Sequence, residues 1–312
     1  MALAILCSGQ GGQHAGMFDL TGDAPQAASL FAHVSAQLGS DPRNLVKQAD
    51  QETLHLNRTA QLLCTLQALS AAALLDSVLP SQRCLAGYSV GEVAAWGVAG
   101  LLGAVETLEL VDTRARLMDA ESHGDEGMLF IRGLDRAAVE QLCAGREAAI
   151  AICNPGNAWV LAGRKSALDI IAREATQHGA LRVSSVPVKV PSHTSLLANA
   201  SVAFDRVLAD VHLQTTHRPS VRLFSGIDGD PVLDAANDLH KLALQISHPI
   251  QWERCLASCV EAGATAFLEL GPGRALADMA GSTYPEIPAR SLDDFRSVSG
   301  VRDWLMRVMG SA

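Results

Sequence analysis

The pentapeptide Gly87-Tyr88-Ser89-Val90-Gly91 constrains the fold of this chain more than any other segment. Apolar residues precede it (Cys84-Leu85-Ala86), and a helix-forming run follows it (Glu92-Val93-Ala94-Ala95-Trp96). Glycines two residues before and two residues after a serine permit a sharp turn, because neither places a side chain inside it. The segment therefore predicts a strand that turns directly into a helix, with Ser89 at the tip of the turn.

A serine hydroxyl is a weak nucleophile at neutral pH. Acyl transfer requires that it be exposed, that a base lie within hydrogen-bond reach and that N–H donors point at the developing oxyanion. The predicted turn supplies the exposure, so Ser89 is a candidate nucleophile. The alternative is a small residue that merely fits a tight turn.

Length and composition favour a globular α/β protein. The chain has 312 residues, of which 48% are hydrophobic and only 4% aromatic. This suits Ala-, Leu- and Val-rich helices packed on a parallel sheet, with room for one large domain and a smaller inserted one. The first ten residues have no basic region and too short an apolar stretch for a signal peptide or a membrane span, which predicts a cytoplasmic protein.

The net charge and the cysteine content argue against certain binding functions. The formal net charge is −9 and no run of lysine or arginine is present, which argues against nucleic-acid binding. The seven cysteines are an odd number without a C-x-x-C pair, so we expect them to be reduced and structural, with no metal site.

The pattern of predicted elements divides the chain. Residues 3–7 and 84–88 are predicted strands, residues 59–79 a helix stopped by Pro80, and residues 266–270 a strand that ends at Gly271-Pro272-Gly273. Between them the predicted order is strand, helix, strand, strand, helix, strand, in the segments MLFIRGL, DRAAVEQLCAG, AAIAICN, NAWVLAG, KSALDIIAREATQHG and ALRVSSVPVKV. This β-α-β-β-α-β order predicts a small ferredoxin-like subdomain over residues 126–190, inserted into a larger domain formed by residues 1–125 and 191–312.

Two side chains are candidate partners of Ser89. His193 lies where the extended segment Val190-Pro191-Ser192 meets a predicted helix, and it is either a solvated loop histidine or the base. Arg114 falls on the apolar face of a predicted helix over residues 106–121, at about 100° per residue. A guanidinium directed into the interior must be paired, either with a protein carboxylate or with a substrate carboxylate held by both of its prongs.

The glycine-rich segment Gly9-Gln10-Gly11-Gly12-Gln13 follows the first predicted strand. It is not a dinucleotide-binding loop, because His14 stands where G-x-G-x-x-G requires glycine, and it lacks the Lys-Ser/Thr of a P-loop. It is either a flexible turn or a loop that brings a backbone N–H close to Ser89 as half of an oxyanion hole.

Seven segments, in this order along the chain, resemble those of the malonyl-CoA:acyl-carrier-protein transacylase family. They are CSGQGGQ, GYSVGE, TRARLMD, NPGNAWVLAG, VPSHTSLL, HPIQW and ELGPGRAL, and together they span nearly the whole chain. The resemblance implies an α/β-hydrolase-like large domain with a parallel sheet, in addition to the inserted ferredoxin-like subdomain.

The resemblance also implies roles for individual residues. Ser89 would be the nucleophile and His193 its base, oriented by a backbone carbonyl near His248, just before Pro249. The backbone N–H groups of Gln10 and Val90 would form the oxyanion hole.

The same resemblance implies the substrate. Arg114 would bind the free carboxylate of malonyl, and Asn154 would line the pocket beside it. Malonyl-CoA would be the substrate, coenzyme A the leaving group and the thiol of an acyl carrier protein the acceptor, with no tightly bound cofactor.

The chain departs from the family pattern at two positions: Tyr88 replaces the usual histidine before the nucleophile, and Ser8 replaces proline in the N-terminal loop. These departures are most similar to the ε subunit of malonate decarboxylase, which loads that complex's own carrier subunit. The alternatives are a transacylase of fatty-acid or polyketide synthesis, an acyl-thioester hydrolase and a non-catalytic subunit that docks a carrier.

Overall fold

A computed structural model describes residues 2–214 and 220–310, and in this part of the chain the strands form one parallel and one antiparallel sheet. The parallel sheet contains β1 (Ala2–Cys7), β2 (Arg83–Gly87), β7 (Val221–Phe224), β8 (Ala264–Glu269) and β9 (Ala289–Ser291). The antiparallel sheet contains β3 (Glu126–Arg132), β4 (Ala148–Asn154), β5 (Ala158–Arg164) and β6 (Arg182–Val186).

Helices connect and cover these strands. They are α1 (Ala28–Leu38), α2 (Pro42–Gln48), α3 (Gln51–Leu54), α4 (Asn57–Leu75), α5 (Val90–Val98), α6 (Ala104–Glu121), α7 (Arg136–Cys143), α8 (Lys165–Gln177), α9 (Ala198–Leu208), α10 (Ala235–Asp238), α11 (Lys241–Ser247), α12 (Trp252–Glu261), α13 (Ala275–Thr283) and α14 (Val298–Met309). Short 3-10 helices lie at Pro25–Ala27, Ser195–Leu197 and Leu292–Asp294.

The parallel sheet has the strand order β7-β2-β1-β8-β9 and is buried on both faces. In β1, Leu3 and Ile5 pack into the core that contains α4 and α5, whereas Ala4 and Leu6 pack into a second core around Trp252. Coverage of both faces explains why β1 and β2 are nearly continuous apolar runs rather than alternating ones.

The antiparallel sheet has the order β4-β5-β3-β6, and its elements follow one another in the predicted sequence. One face packs on α7 and α8, where Ile131 and Leu161 meet Ile171. The opposite face places Met128 and Val160 in the same core as Trp252. The small sheet is therefore packed against the large one through a shared apolar core.

Two predicted elements are shorter than expected. The helix predicted over residues 59–79 ends at Leu75 and continues as a turn up to Pro80; the proline excludes Leu79 from a helical conformation and so sets only the outer limit of the helix. The strand predicted to reach residue 190 ends at Val186, since Pro187 has no N–H for the ladder.

The carboxyl ends of β1, β2 and β8 meet at one edge of the parallel sheet, as parallel pairing requires. The backbones approach so closely that a Cβ atom on Gly91 would lie 2.1 Å from the carbonyl oxygen of Cys7. A Cβ atom on Gly12 would lie 2.5 Å from the carbonyl oxygen of Pro272. Glycine at these positions lets the loops after the three strands meet.

Replacing Gly91 with alanine should lower the free energy of unfolding by about 3 kcal/mol, because the clash involves backbone that cannot move aside. Chemical denaturation of the variant measures this. Gly281→Ala is the matched control, because Gly281 also lies in a helix, α13. The added methyl would lie 3.5 Å from the Cβ atom of Ala289, which is an ordinary van der Waals contact. A loss at Gly91 no larger than that at Gly281 would contradict the close approach.

Candidate active site

Ser89 occupies the turn between β2 and α5. Its backbone has φ 59° and ψ −122°, a conformation that is strained for a residue with a side chain and that is often found at functional sites. A Cβ atom on Gly87 would lie 2.1 Å from the backbone nitrogen of Glu92, so only glycine fits there. The turn leaves Ser89 half-buried, with its hydroxyl directed at His193.

The hydroxyl of Ser89 lies 2.8 Å from Nε2 of His193. On the other side of the ring, Nδ1 is hydrogen-bonded to the backbone carbonyl of Gln245. A carbonyl can only accept, so Nδ1 carries the proton and Nε2 presents its lone pair to Ser89. This is the geometry in which an imidazole removes a proton from a serine.

The carbonyl that orients His193 belongs to Gln245, three residues before His248, near which the resemblance placed it. α11 ends at Ser247, and the carbonyls of its last turn have no partners inside the helix. Gln245 and Ile246 therefore accept from the ring and from the backbone N–H of His193, the latter at 2.8 Å. The Nδ1 atom of His248 instead lies 3.0 Å from the carbonyl oxygen of Leu244.

Burial and charge keep the imidazole of His193 neutral. The side chain is 1% exposed, and burial, together with the positive charge of Arg114, lowers its pKa to about 3. The hydrogen bond to Gln245 opposes this shift. Since the ring is unprotonated throughout the neutral range, it is available to accept a proton from Ser89.

Two candidate oxyanion donors are carried by the backbone around the turn. Val90 is the first residue of α5, so its N–H has no acceptor inside the helix. Gln10 lies in the loop after β1, where a Cβ atom on the neighbouring Gly9 would be 2.7 Å from the carbonyl oxygen of Tyr88. The loop that contains Gln10 thus lies against the residue preceding Ser89.

Arg114 is fully buried on α6, on the apolar face that the sequence predicted. Its Nη1 donates to Oε1 of Gln61 at 2.6 Å and its Nη2 to Oε1 of Gln245 at 3.2 Å, while its Nε has no partner. Over the described residues no carboxylate is paired with it, so the internal salt bridge considered from the sequence is absent. Burial lowers its pKa to about 10, so the group remains cationic at neutral pH.

A buried cation held only by neutral amides is costly unless an anion completes its coordination. Gln245 contacts His193 through its backbone and Arg114 through its side chain, so the cation lies close to the Ser89–His193 pair. The site can therefore receive a ligand that carries a carboxylate near the atom Ser89 attacks.

Asn154 ends β4 and is buried, and its Oδ1 has no hydrogen-bond partner. Burial raises the pKa of Tyr88 well above its usual range, although a hydrogen bond with Asn154 opposes this. The Tyr88 ring also packs edge-on against Trp252, with 5.3 Å between centroids. Asn154 is thereby placed beside the residue that precedes Ser89.

Sequence reasoning missed three buried polar residues at this site: Gln61, Gln245 and Glu92. Glu92 is 1% exposed and its Oε2 accepts from Nε2 of Gln245 at 2.9 Å. A signal was available, because each residue interrupts an apolar helical face, in AQLL, ALQI and VGEV. What each one contacts depends on distant parts of the chain.

Among residues 2–214 and 220–310, no group of three or more His, Cys, Asp or Glu side chains is arranged to hold a metal ion. Nor does any helix in the described part of the chain have the length and apolar character needed to cross a membrane.

Comparison with known proteins gives consistent matches over nearly the whole chain. The acyl transferase domain family matches residues 5–298. The malonyl CoA-acyl carrier protein transacylase of Haemophilus influenzae is 29% identical over 97% of this chain and 99% of that protein. Its Escherichia coli K12 counterpart is 30% identical over 93% and 96%.

Solved structures agree with these relatives. An acyl-carrier-protein S-malonyltransferase from Burkholderia pseudomallei superposes with a TM-score of 0.88 at 28% identity, covering 97% of this chain and all of that one. A malonyl-transacylase solved in complex with its type II PKS acyl-carrier protein also gives a TM-score of 0.88, at 27% identity over 97% and 99% of the two chains. The arrangement around Ser89 and these matches have one common explanation: this chain is an acyltransferase and belongs to the acyl transferase domain family.

Proposed function

We propose that this acyltransferase moves a malonyl group from malonyl-CoA to the thiol of an acyl carrier protein's phosphopantetheine-type arm, through an ester on Ser89. The observation that carries the proposal is the buried guanidinium of Arg114, which is paired with no carboxylate of the described residues and shares Gln245 with His193. Malonyl is carried as a thioester and has a free carboxylate. A carboxylate is the group that would complete the coordination of the Arg114 guanidinium.

In the first half-reaction His193 Nε2 takes the proton of Ser89 as the hydroxyl oxygen attacks the thioester carbon. The oxyanion accepts hydrogen bonds from the backbone N–H groups of Gln10 and Val90. When the tetrahedral species collapses, the carbon–sulfur bond breaks and His193 returns its proton to the sulfur of coenzyme A. A malonyl ester on Ser89 remains.

The second half-reaction runs in the opposite sense. The carrier thiol gives its proton to His193 as its sulfur attacks the ester carbon, and the same N–H groups stabilise the oxyanion. The carbon–oxygen bond to Ser89 breaks and the serine oxygen regains the proton. The enzyme is unchanged and the carrier holds the malonyl thioester.

Substrate binding also strengthens the base. The charge of Arg114 contributes to the low pKa of His193, and a malonyl carboxylate on the guanidinium would offset that charge. The imidazole becomes a better proton acceptor when malonyl is in place. Asn154, beside Tyr88, lines the pocket in which the acyl group lies.

The class of the carrier is a separate part of the proposal. Relatives named as malonyl CoA-acyl carrier protein transacylases match nearly the full chain, and this favours a carrier of fatty-acid or polyketide synthesis. Tyr88 and Ser8 favour the second candidate, the carrier subunit of malonate decarboxylase. In this chain the Ser8 hydroxyl donates to Glu269 at 2.7 Å, a contact that proline would not make.

We also propose how the chain divides into domains. The parallel sheet would belong to a hydrolase-like domain of residues 1–125 and 191–312, and residues 126–190 to a ferredoxin-like subdomain. The strand order β4-β5-β3-β6 and its β-α-β-β-α-β connectivity support the second description.

Mixing the protein with malonyl-CoA should add the mass of one malonyl group, which intact-mass spectrometry detects. Ser89→Ala should show no addition, because the attacking oxygen is gone. Absence of an adduct on the unmodified enzyme would refute the proposed intermediate. Rapid release of free malonate without a carrier would instead assign the thioester hydrolase alternative.

Arg114→Ala should reduce malonyl loading by about 3 kcal/mol of transition-state stabilisation, roughly a hundredfold in rate, since the substrate carboxylate loses its partner. Acetyl loading has no such carboxylate and should not fall in parallel. Arg116→Ala is the matched control, because this side chain is on the exposed side of the same helix and pairs with Asp112. Equal malonyl loading by the two variants would contradict the carboxylate socket.

Transfer from malonyl-CoA to two purified carriers, one of fatty-acid synthesis and one of malonate decarboxylase, should show the higher kcat/KM with the fatty-acid carrier. Ser89→Ala gives the uncatalysed background for both. Preference for the malonate decarboxylase carrier would reverse the assignment and support the branch that Tyr88 and Ser8 suggest. Neither result alters the chemistry at Ser89.

A further inference from the structure

We infer that Glu92 acts as a positioning residue which, through the side chain of Gln245, sets how strongly Arg114 binds the carboxylate of the substrate and makes this binding dependent on pH. This inference rests on the proposed function and adds to it a residue whose backbone N–H donates to the Ser89 carbonyl at 2.9 Å but whose carboxyl is directed at Gln245 rather than at the Ser89 hydroxyl. The Glu92 carboxyl and the Arg114 guanidinium are not in direct contact. A buried carboxyl and a buried guanidinium share one site without forming an ion pair.

The amide of Gln245 lies between the two groups. Its Oε1 accepts from Nη2 of Arg114 at 3.2 Å, and its Nε2 donates to Oε2 of Glu92 at 2.9 Å. The orientation of the amide is fixed, because a guanidinium has only donors and must face the amide oxygen. Gln245 therefore separates the charges while linking them by two consecutive hydrogen bonds.

Glu92 is enclosed by groups from three further elements. Arg114 faces it from α6, Asp228 from the loop after β7 and the Cys255 thiol from α12. Burial raises the pKa of Glu92 to about 8, with Asp228 contributing and Arg114 opposing. Hydrogen bonds from Ser225 and Gly226 hold its oxygens, and the Ser225 hydroxyl can accept a proton from the acid form as well as donate to the carboxylate.

The sign of the effect follows from these neighbours. Below pH 8 Glu92 is protonated, so the charge of Arg114 is available to the substrate carboxylate. Above pH 8 Glu92 ionises, its negative charge offsets Arg114, and the incoming carboxylate is bound less well. Conversely, a carboxylate on Arg114 raises the pKa of Glu92, so substrate binding near pH 8 takes up protons.

The ratio of malonyl to acetyl loading, measured as kcat/KM from the two CoA thioesters, isolates this effect because acetyl has no carboxylate for Arg114. From pH 7 to pH 9 the protonated fraction of Glu92 falls about tenfold for a pKa of about 8, so the ratio should fall by several-fold and at most about tenfold. In Glu92→Gln, which keeps an acceptor for Gln245 but cannot ionise, the ratio should stay constant within about twofold.

Glu269→Gln is the matched control. Glu269 is also buried with a pKa raised to about 7, but it accepts from Ser8 and from the backbone of Ala277 rather than facing Arg114. Its replacement should alter malonyl and acetyl loading together and leave the pH dependence of their ratio intact. A pH-independent ratio in the wild type, or an equal fall in Glu92→Gln, would overturn the inference.

A second measurement applies if Glu92→Gln does not fold. Calorimetric titration of Ser89→Ala with malonyl-CoA at pH 8, in two buffers of different ionisation enthalpy, should reveal an uptake of up to about half a proton. Acetyl-CoA should give none, and equal values for the two ligands would overturn the inference. Absence of a malonyl ester on the wild type would refute the proposed function itself, whereas a normal ester with a pH-independent ratio refutes only the role of Glu92.

Discussion

The rest of the site depends on the two hydrogen bonds that the last turn of α11 accepts from His193. A helix leaves its final carbonyls without internal partners, and here two of them hold the ring and the backbone of His193. No third acidic side chain is required to orient the imidazole, because a carbonyl can only accept a hydrogen bond and therefore fixes the proton on Nδ1. The same residue, Gln245, then reaches Arg114 with its side chain. The proposed base and the proposed substrate-binding cation are thus positioned by one short helix.

The electrostatics of the site follow from this shared support. Among the described residues the hydrogen-bond partners of the buried Arg114 guanidinium are amides, and burial together with the charge of Arg114 lowers the pKa of His193. An unpaired cation is costly to bury, so the proposed anionic substrate would be bound partly because it removes that penalty. Under the proposed function, recognition and base strength would therefore change together when a carboxylate enters. A neutral acyl group gains neither effect.

Local pattern was sufficient to predict the β2–α5 turn and α6, but neither α11 nor the contacts between the elements of the site. Ser89 was predictable because the flanking glycines and the apolar run before them specify a strand-to-helix turn, and Arg114 because helical periodicity places it on the buried face of α6. The resemblance places the carbonyl that orients His193 near His248, just before Pro249, whereas the acceptor in the structure is the Gln245 carbonyl, whose position depends on where α11 stops. Gln245 and Glu92 are 153 residues apart, and no local signal reveals that they touch.

The small antiparallel sheet takes part in the site through contacts between residues that are distant in the sequence. The strand β4 is bridged to the segment after α11, where Ile152 lies beside Ile250 and the Cys153 N–H donates to the Ile250 carbonyl at 2.8 Å. Ile250 follows α11 by only three residues. The end of β4, which carries Asn154, is therefore fixed relative to the helix that holds His193. Residues of both sheets, with Tyr88 beside them, also share one apolar core, so the packing of the two sheets places Asn154 next to the residue that precedes Ser89.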